Sequence, residues 1–172
     1  MNLQSSDFEL FAVPEQFAQE GAALDARWKE LQREAHPDKF AGHDAAAQRV
    51  ALQWSVRINE AYRRLKDPLK RAAYLCELRG AAINAENNTA MPADFLMEQM
   101  AWREALEGAT SHVLVEGLQG ELEQARATTL ARIAALLDET GDPQAAAQQV
   151  RALMFVERFA HDVEARFDQL QQ

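Results

Sequence analysis

The stretch that decides the fold is Leu24-Asp25-Ala26-Arg27-Trp28-Lys29-Glu30-Leu31-Gln32-Arg33-Glu34-Ala35-His36-Pro37-Asp38-Lys39-Phe40. Leu24, Trp28, Leu31 and Ala35 recur at spacings of four, three and four, the signature of one face of an α-helix. Pro37 fixes its own φ, lacks a backbone N–H and pushes His36 away from helical backbone, so this helix must end near His36. Beyond the loop, Val50, Trp54, Ile58, Ala61 and Leu65 repeat at four, four, three and four, which predicts a second, longer helix over roughly 44–65. Two amphipathic helices joined by a short loop close into an antiparallel hairpin through their tryptophan-bearing faces.

The opposite faces carry charge. Lys29 and Arg33 are four apart and project away from the Leu24/Trp28/Leu31 stripe, and Lys39 follows in the loop. Read by itself, such a strip is an ordinary solvated surface. The local excess is real, however. From Arg27 to Arg71 there are 11 Lys/Arg against 6 Asp/Glu, a net of +5, whereas the whole chain carries −9, so the remainder carries −14. A basic block on an acidic protein points to an acidic partner surface. Nucleic acid is the competing reading. It is disfavoured because the acidic remainder repels phosphate and because Trp28 and Trp54 face inward rather than forming a stacking platform.

Further segments fall in order around the hairpin. Phe8, Leu10 and Phe11 mark a short helical turn over 7–13. Asp67-Pro68 stops the long helix and starts another over 69–79, with Gly80 as its terminator. The stretch from Gly80 to Pro92 loses periodicity and gathers Asn, which marks a linker between a first domain, 1–79, and a second, 93–172. Three helices follow: Ala93 to Glu107, Ser111 to Glu139 and Pro143 onward. The second presents Leu114, Leu118, Leu122, Ala125, Thr129, Ile133 and Leu136. The third presents Leu153, Val156, Ala160, Val163 and Phe167. Short connections imply an antiparallel three-helix bundle, so the fold class is all-α throughout.

One face has no place in that core. Phe95, Trp102 and Leu106 form the inward stripe of the first bundle helix, while Leu96, Met97 and Met100, with Glu104, lie about 150° around the wheel. Phe155 similarly sits about 100° off the main stripe of the third helix. A core that wraps widely, or a seam packed on the first domain, would also cover them; the favoured reading is that exposed Leu, Met and Phe edged by carboxylate make a partner-binding surface.

Composition excludes several classes. Of 172 residues, 48% are hydrophobic and 26% charged, as in ordinary globular proteins, and no apolar run approaches membrane-spanning length. The N-terminal sequence has neither the basic region nor the apolar core of a secretory signal, so a cytoplasmic location is expected. Cys76 is the only cysteine, set beside apolar neighbours as a buried, inert thiol. The four histidines are scattered, and no metal site or cofactor loop is legible. Nothing resembles a catalytic constellation, since His36 and Asp38 lack a third partner.

His36-Pro37-Asp38, Ile58-Asn59-Glu60-Ala61-Tyr62 and Asp67-Pro68-Leu69-Lys70-Arg71-Ala72-Ala73-Tyr74, in this order and at these separations, resemble a J domain. The resemblance implies a co-chaperone that docks on a DnaK-type ATPase through the His-Pro-Asp turn and the basic helix before it, and triggers ATP hydrolysis. With the acidic bundle and the segment Phe95-Leu96-Met97-Glu98-Gln99-Met100, continuing to Arg103-Glu104, the whole chain resembles the HscB family of iron–sulfur co-chaperones. That likeness implies two partners: the chaperone HscA at His36, Pro37, Asp38, Lys29, Arg33 and Lys39, and the scaffold IscU at Leu96, Met97, Met100, Glu104 and Phe155. Neither membrane nor nucleic acid is expected as a partner. A general J-domain co-chaperone for another client is the competing reading. Ala101 and Gly108 stand where that family can carry glutamate, so the acidic rim is thinner here. A zinc-binding Cys-x-x-Cys extension, found in some eukaryotic members, is absent.

Overall fold

A computed structural model describes residues 2–171. Met1 and Gln172, which bound the first and last segments drawn from the sequence, lie outside the described residues. Among the described residues seven α-helices run in order: α1 Asp7–Phe11, α2 Gly21–Ala35, α3 Ala45–Lys66, α4 Pro68–Leu78, α5 Ala93–Glu107, α6 His112–Ala134 and α7 Pro143–Leu170. A 3₁₀ turn, Pro37–Phe40, follows α2, and a π turn, Ala135–Thr140, extends α6. No strand occurs among the described residues, and no helix there is long and apolar enough to cross a membrane. The chain divides into two compact units, one ending at Tyr74 and the other beginning at Leu75.

In the first unit α2 and α3 pair as the core of a hairpin. Leu24, Leu31 and Ala35 are buried from α2, and Ala51, Ile58, Ala61 and Leu65 from α3. Asp44 caps α3 by accepting the Ala47 N–H at 2.8 Å. The five-residue α1 is too short to persist by itself. A capping box closes its start: Ser6 and Glu9 accept each other's backbone N–H groups at 3.2 and 2.9 Å. Its buried Asp7 then anchors it, meeting Arg57 at 2.7 Å and Arg64 at 2.5 Å.

In the second unit α6 and α7 form the long pair. Phe95 and Trp102 of α5 pack into a cluster with Val115, Leu118, Leu122, Val156, Phe159 and Val163. Rings dominate: Trp102 stacks on Phe159 at 6.4 Å and meets Phe95 edge-on at 5.8 Å. Arg151 of α7 is buried too. Its guanidinium donates to the carbonyls of Ile83, Ala90 and Ala82 at 3.0, 3.0 and 3.3 Å, so the helix-free stretch before α5 satisfies a cation on α7.

Three stripe positions differ from the sequence pattern. Val50 is exposed and Ala51 takes its place, because a four-four spacing drifts about 40° per step from a 3.6-residue repeat. For the same reason Val115, not Leu114, is buried at the start of α6. At its end Leu137 is buried while Leu136 is only partly covered, because the wider π turn brings the residue four beyond Ile133 back over the core.

Candidate functional site

The first candidate surface is built by the break in the hairpin. Pro37 ends α2, and the His36 side chain caps the following 3₁₀ turn, its Nδ1 accepting the Asp38 N–H at 3.2 Å. The same nitrogen lies 3.5 Å from the Asp38 carboxylate, an ion pair only when the imidazole is protonated. Both side chains stand in solvent, as do Lys29, Arg33 and Lys39. Lys29, Arg33, His36 and Lys39 line one shallow groove with Trp28 and Gln32, so the turn and the basic helix face form one surface. None of these three cations has an ion-pair partner among the described residues, whereas Arg57 and Arg64 are engaged by Asp7 and Lys66 by Asp25.

Trp28 is half-buried rather than wholly inward. Its indole N–H donates to Asn59 at 3.0 Å and its ring stacks on Tyr62 at 5.0 Å. Gln32 also donates to Asn59, at 2.6 Å, which fixes the helix that presents the cations. Tyr62 donates to Asp25 at 2.7 Å and Lys66 meets Asp25 at 2.6 Å. The Lys66 ammonium, followed by the Tyr62 hydroxyl, holds the Asp25 carboxyl below the usual carboxylate range.

The second candidate surface is the outer face of α5. Leu96, Met97 and Met100 are 50%, 71% and 62% exposed, while Phe95 and Trp102 on the other side of the same helix are buried. Glu104 is exposed beside them. Phe155 departs from the expectation of an exposed ring. It is half-buried, meeting Phe95 edge-on at 5.8 Å and stacking on Phe159 at 5.7 Å, with the Arg103 guanidinium 5.6 Å from its ring centre. Its bulk bridges from α7 to α5, so it borders the core as much as the surface. Arg103, absent from the sequence-derived set, lies one residue before Glu104 and covers this ring.

Sequence reasoning also missed the cluster that joins Asp7 to Arg57, Arg64 and Tyr74. The Asp7 N–H donates to the Tyr74 hydroxyl at 3.0 Å, and Arg64 lies 4.4 Å from the centre of the Tyr74 ring. The one local signal was the Ser6-x-x-Glu9 capping box, which places Asp7 in the first turn of α1. Among the described residues no group of His, Cys, Asp and Glu is arranged to hold a metal ion.

Comparison with known proteins bears on the family and the fold. A family model described as the HSCB C-terminal oligomerisation domain matches residues 91–164. The "Co-chaperone protein HscB homolog" of Burkholderia multivorans is 49% identical and that of Burkholderia cenocepacia 48%, each alignment covering 99% of both chains. Chaperone HscB from Vibrio cholerae matches with a TM-score of 0.83 at 35% identity, over 96% of this chain and 99% of that one. Human co-chaperone protein HscB matches with a TM-score of 0.89 over 96% of this chain and 84% of that one, and at 23% identity this likeness concerns the fold alone. An all-α chain with a J domain, a His-Pro-Asp turn and a C-terminal helical bundle is a J-domain co-chaperone. This chain belongs to the HscB family of co-chaperones, which serve iron–sulfur cluster assembly.

Proposed function

We propose that this protein is a cytoplasmic adaptor that binds the scaffold IscU through its second unit and delivers it to the DnaK-type chaperone HscA. The J domain is assigned to 1–79, a linker to 80–92 and the scaffold-binding bundle to 93–172. His36, Pro37 and Asp38 meet the chaperone, while Lys29, Arg33 and Lys39 steer an acidic surface toward them. HscA then hydrolyses ATP faster and grips its client, which promotes transfer of the cluster carried by the scaffold. Leu96, Met97 and Met100 supply the apolar anchor for IscU, with Glu104 and Phe155 at its edge.

The observation that carries this reading is the α5 face: three large apolar side chains exposed on a helix whose other face is already buried. Burial in a partner is what such a surface gains from. The test is HscA ATPase stimulation with and without IscU. His36→Gln should abolish stimulation in both conditions. Replacing Leu96, Met97 and Met100 together by alanine should keep the basal stimulation and remove the increment that IscU adds. An increment that survives the triple change places the scaffold site elsewhere.

A further inference from the structure

We propose that Met97 and Met100 are a reversible oxidation site, through which peroxide disconnects this co-chaperone from its scaffold while leaving its J domain active. The inference rests on the assignment of the α5 face as the scaffold site. It adds a regulation that neither the fold nor the family description supplies.

The distribution of sulfur carries it. The chain has one cysteine and five methionines. Cys76 is wholly buried, and burial pushes its thiol up to about 11, so at neutral pH it offers an oxidant no accessible thiolate. Met91 and Met154 are partly covered, and the Met91 sulfur accepts a hydrogen bond from Gln99 Nε2 at 3.2 Å. Met97 and Met100, at 71% and 62% exposed, are the open sulfurs among the described residues. They stand three apart on one helix, in the centre of the apolar face. Between Met1 and Met91 there is no methionine, so the described part of the first unit holds no oxidisable thioether or thiol.

The chemistry is a two-electron transfer from sulfur to hydrogen peroxide. The O–O bond breaks, one oxygen forms the S=O bond, and the other leaves as water, taking the proton of the transferred oxygen. A dithiol reductase reverses it, removing the oxygen as water while two thiols become a disulfide. The sulfoxide converts a flexible apolar side chain into a strong hydrogen-bond acceptor. Buried against an apolar partner without a donor, it weakens binding by about tenfold to a hundredfold. Leucine fills the same volume without this sensitivity and already serves at Leu96.

The test uses the full chain, hydrogen peroxide and purified IscU. The protein is oxidised, the sites are located by mass spectrometry, and IscU affinity is measured before and after, and again after treatment with methionine sulfoxide reductases. The expected result is preferential oxidation of Met97 and Met100, a tenfold or greater loss of affinity, recovery on reduction, and unchanged basal stimulation of HscA. For M97L/M100L the readout is the ratio of affinities before and after peroxide, expected near one whatever its starting affinity. M91L/M154L should keep the full loss. Conversion of both methionines with affinity unchanged overturns the switch and leaves the scaffold site standing. An equal loss in M97L/M100L also overturns it, as does faster oxidation of Met91 or Met154. If untreated protein binds IscU equally well after Leu96→Ala, the α5 assignment fails and takes the switch with it.

Discussion

The two units solve the problem of holding short helices together with different forces. In the first, pairs of charges and hydrogen bonds cross between helices: Asp7 with Arg57 and Arg64, Asp25 with Tyr62 and Lys66, Asn59 with Trp28 and Gln32. In the second, Phe95, Trp102, Phe155 and Phe159 interlock, and the buried guanidinium of Arg151 is met by backbone carbonyls rather than by an acid. In the proposed function each unit offers its partner an unsettled excess of the kind of group it uses inside. The first has cations left over around His36, and the second has apolar side chains left over on α5. The contact residues proposed above share this lack of an internal counterpart.

The largest stability effect should come from the ring cluster. Trp102→Ala is expected to cost about 4 kcal/mol, the size of a large aromatic deletion from a packed core. It should show as a marked fall in the urea midpoint of the second unit. Next comes Asp7→Ala, which strands Arg57 and Arg64. Breaking a buried pair costs about 3–5 kcal/mol, and the low end applies because both guanidiniums keep some contact with water. Hydrogen exchange should place this loss in α1 and its contacts on α3. If Asp7→Ala proves harmless while Trp102→Ala does not, the first unit is held by its apolar stripe after all.

Cys76 gives a smaller, pH-dependent effect. Its thiol is raised to about 11 from an ordinary 9.0, so the neutral form is favoured in the folded protein. The corresponding stability is complete below the ordinary value and falls away as pH rises through the folded one. Native protein should resist iodoacetamide at neutral pH, and prompt alkylation there would contradict the burial. The smallest effect belongs to Lys66→Ala. Asp25 is held low by Lys66, so the pair stabilises the fold above the ordinary carboxylate range and stops doing so as the pH falls through the folded value. Wild type should exceed the variant slightly at about pH 5 and match it in strong acid or high salt. A large effect would show the pair to be far less exposed than its surface position implies.

The hairpin, the break at Pro37 and the two-faced α5 were legible because each is a matter of local spacing. Leu96, Met97 and Met100 could be placed outward from Phe95 and Trp102 alone. Phe155 was harder, since its covering by Phe95 and Arg103 depends on how α5 lies against α7. Asp7 finds its partners 50 and 57 residues away, and no periodicity joins such positions. Arg151 was invisible for the same reason, and its acceptors are main-chain atoms that any residues would supply. The slips at Val50, Leu114 and Leu136 are each one position wide, the error expected when a four-residue step stands in for a 3.6-residue turn.

The contact between Arg151 and the carbonyls of Ala82, Ile83 and Ala90 has a consequence for dissecting the molecule. A fragment begun at Ala93 would contain all of α5, α6 and α7, yet it would bury a guanidinium whose three acceptors had been cut away. An unpartnered cation in an apolar interior loosens the helix that carries it, and the loosened surface associates with its neighbours. A fragment begun ahead of Ala82 brings its own acceptors. The stretch without helix is, for that purpose, an inseparable part of α7's solvation shell, supplied by the chain in place of water.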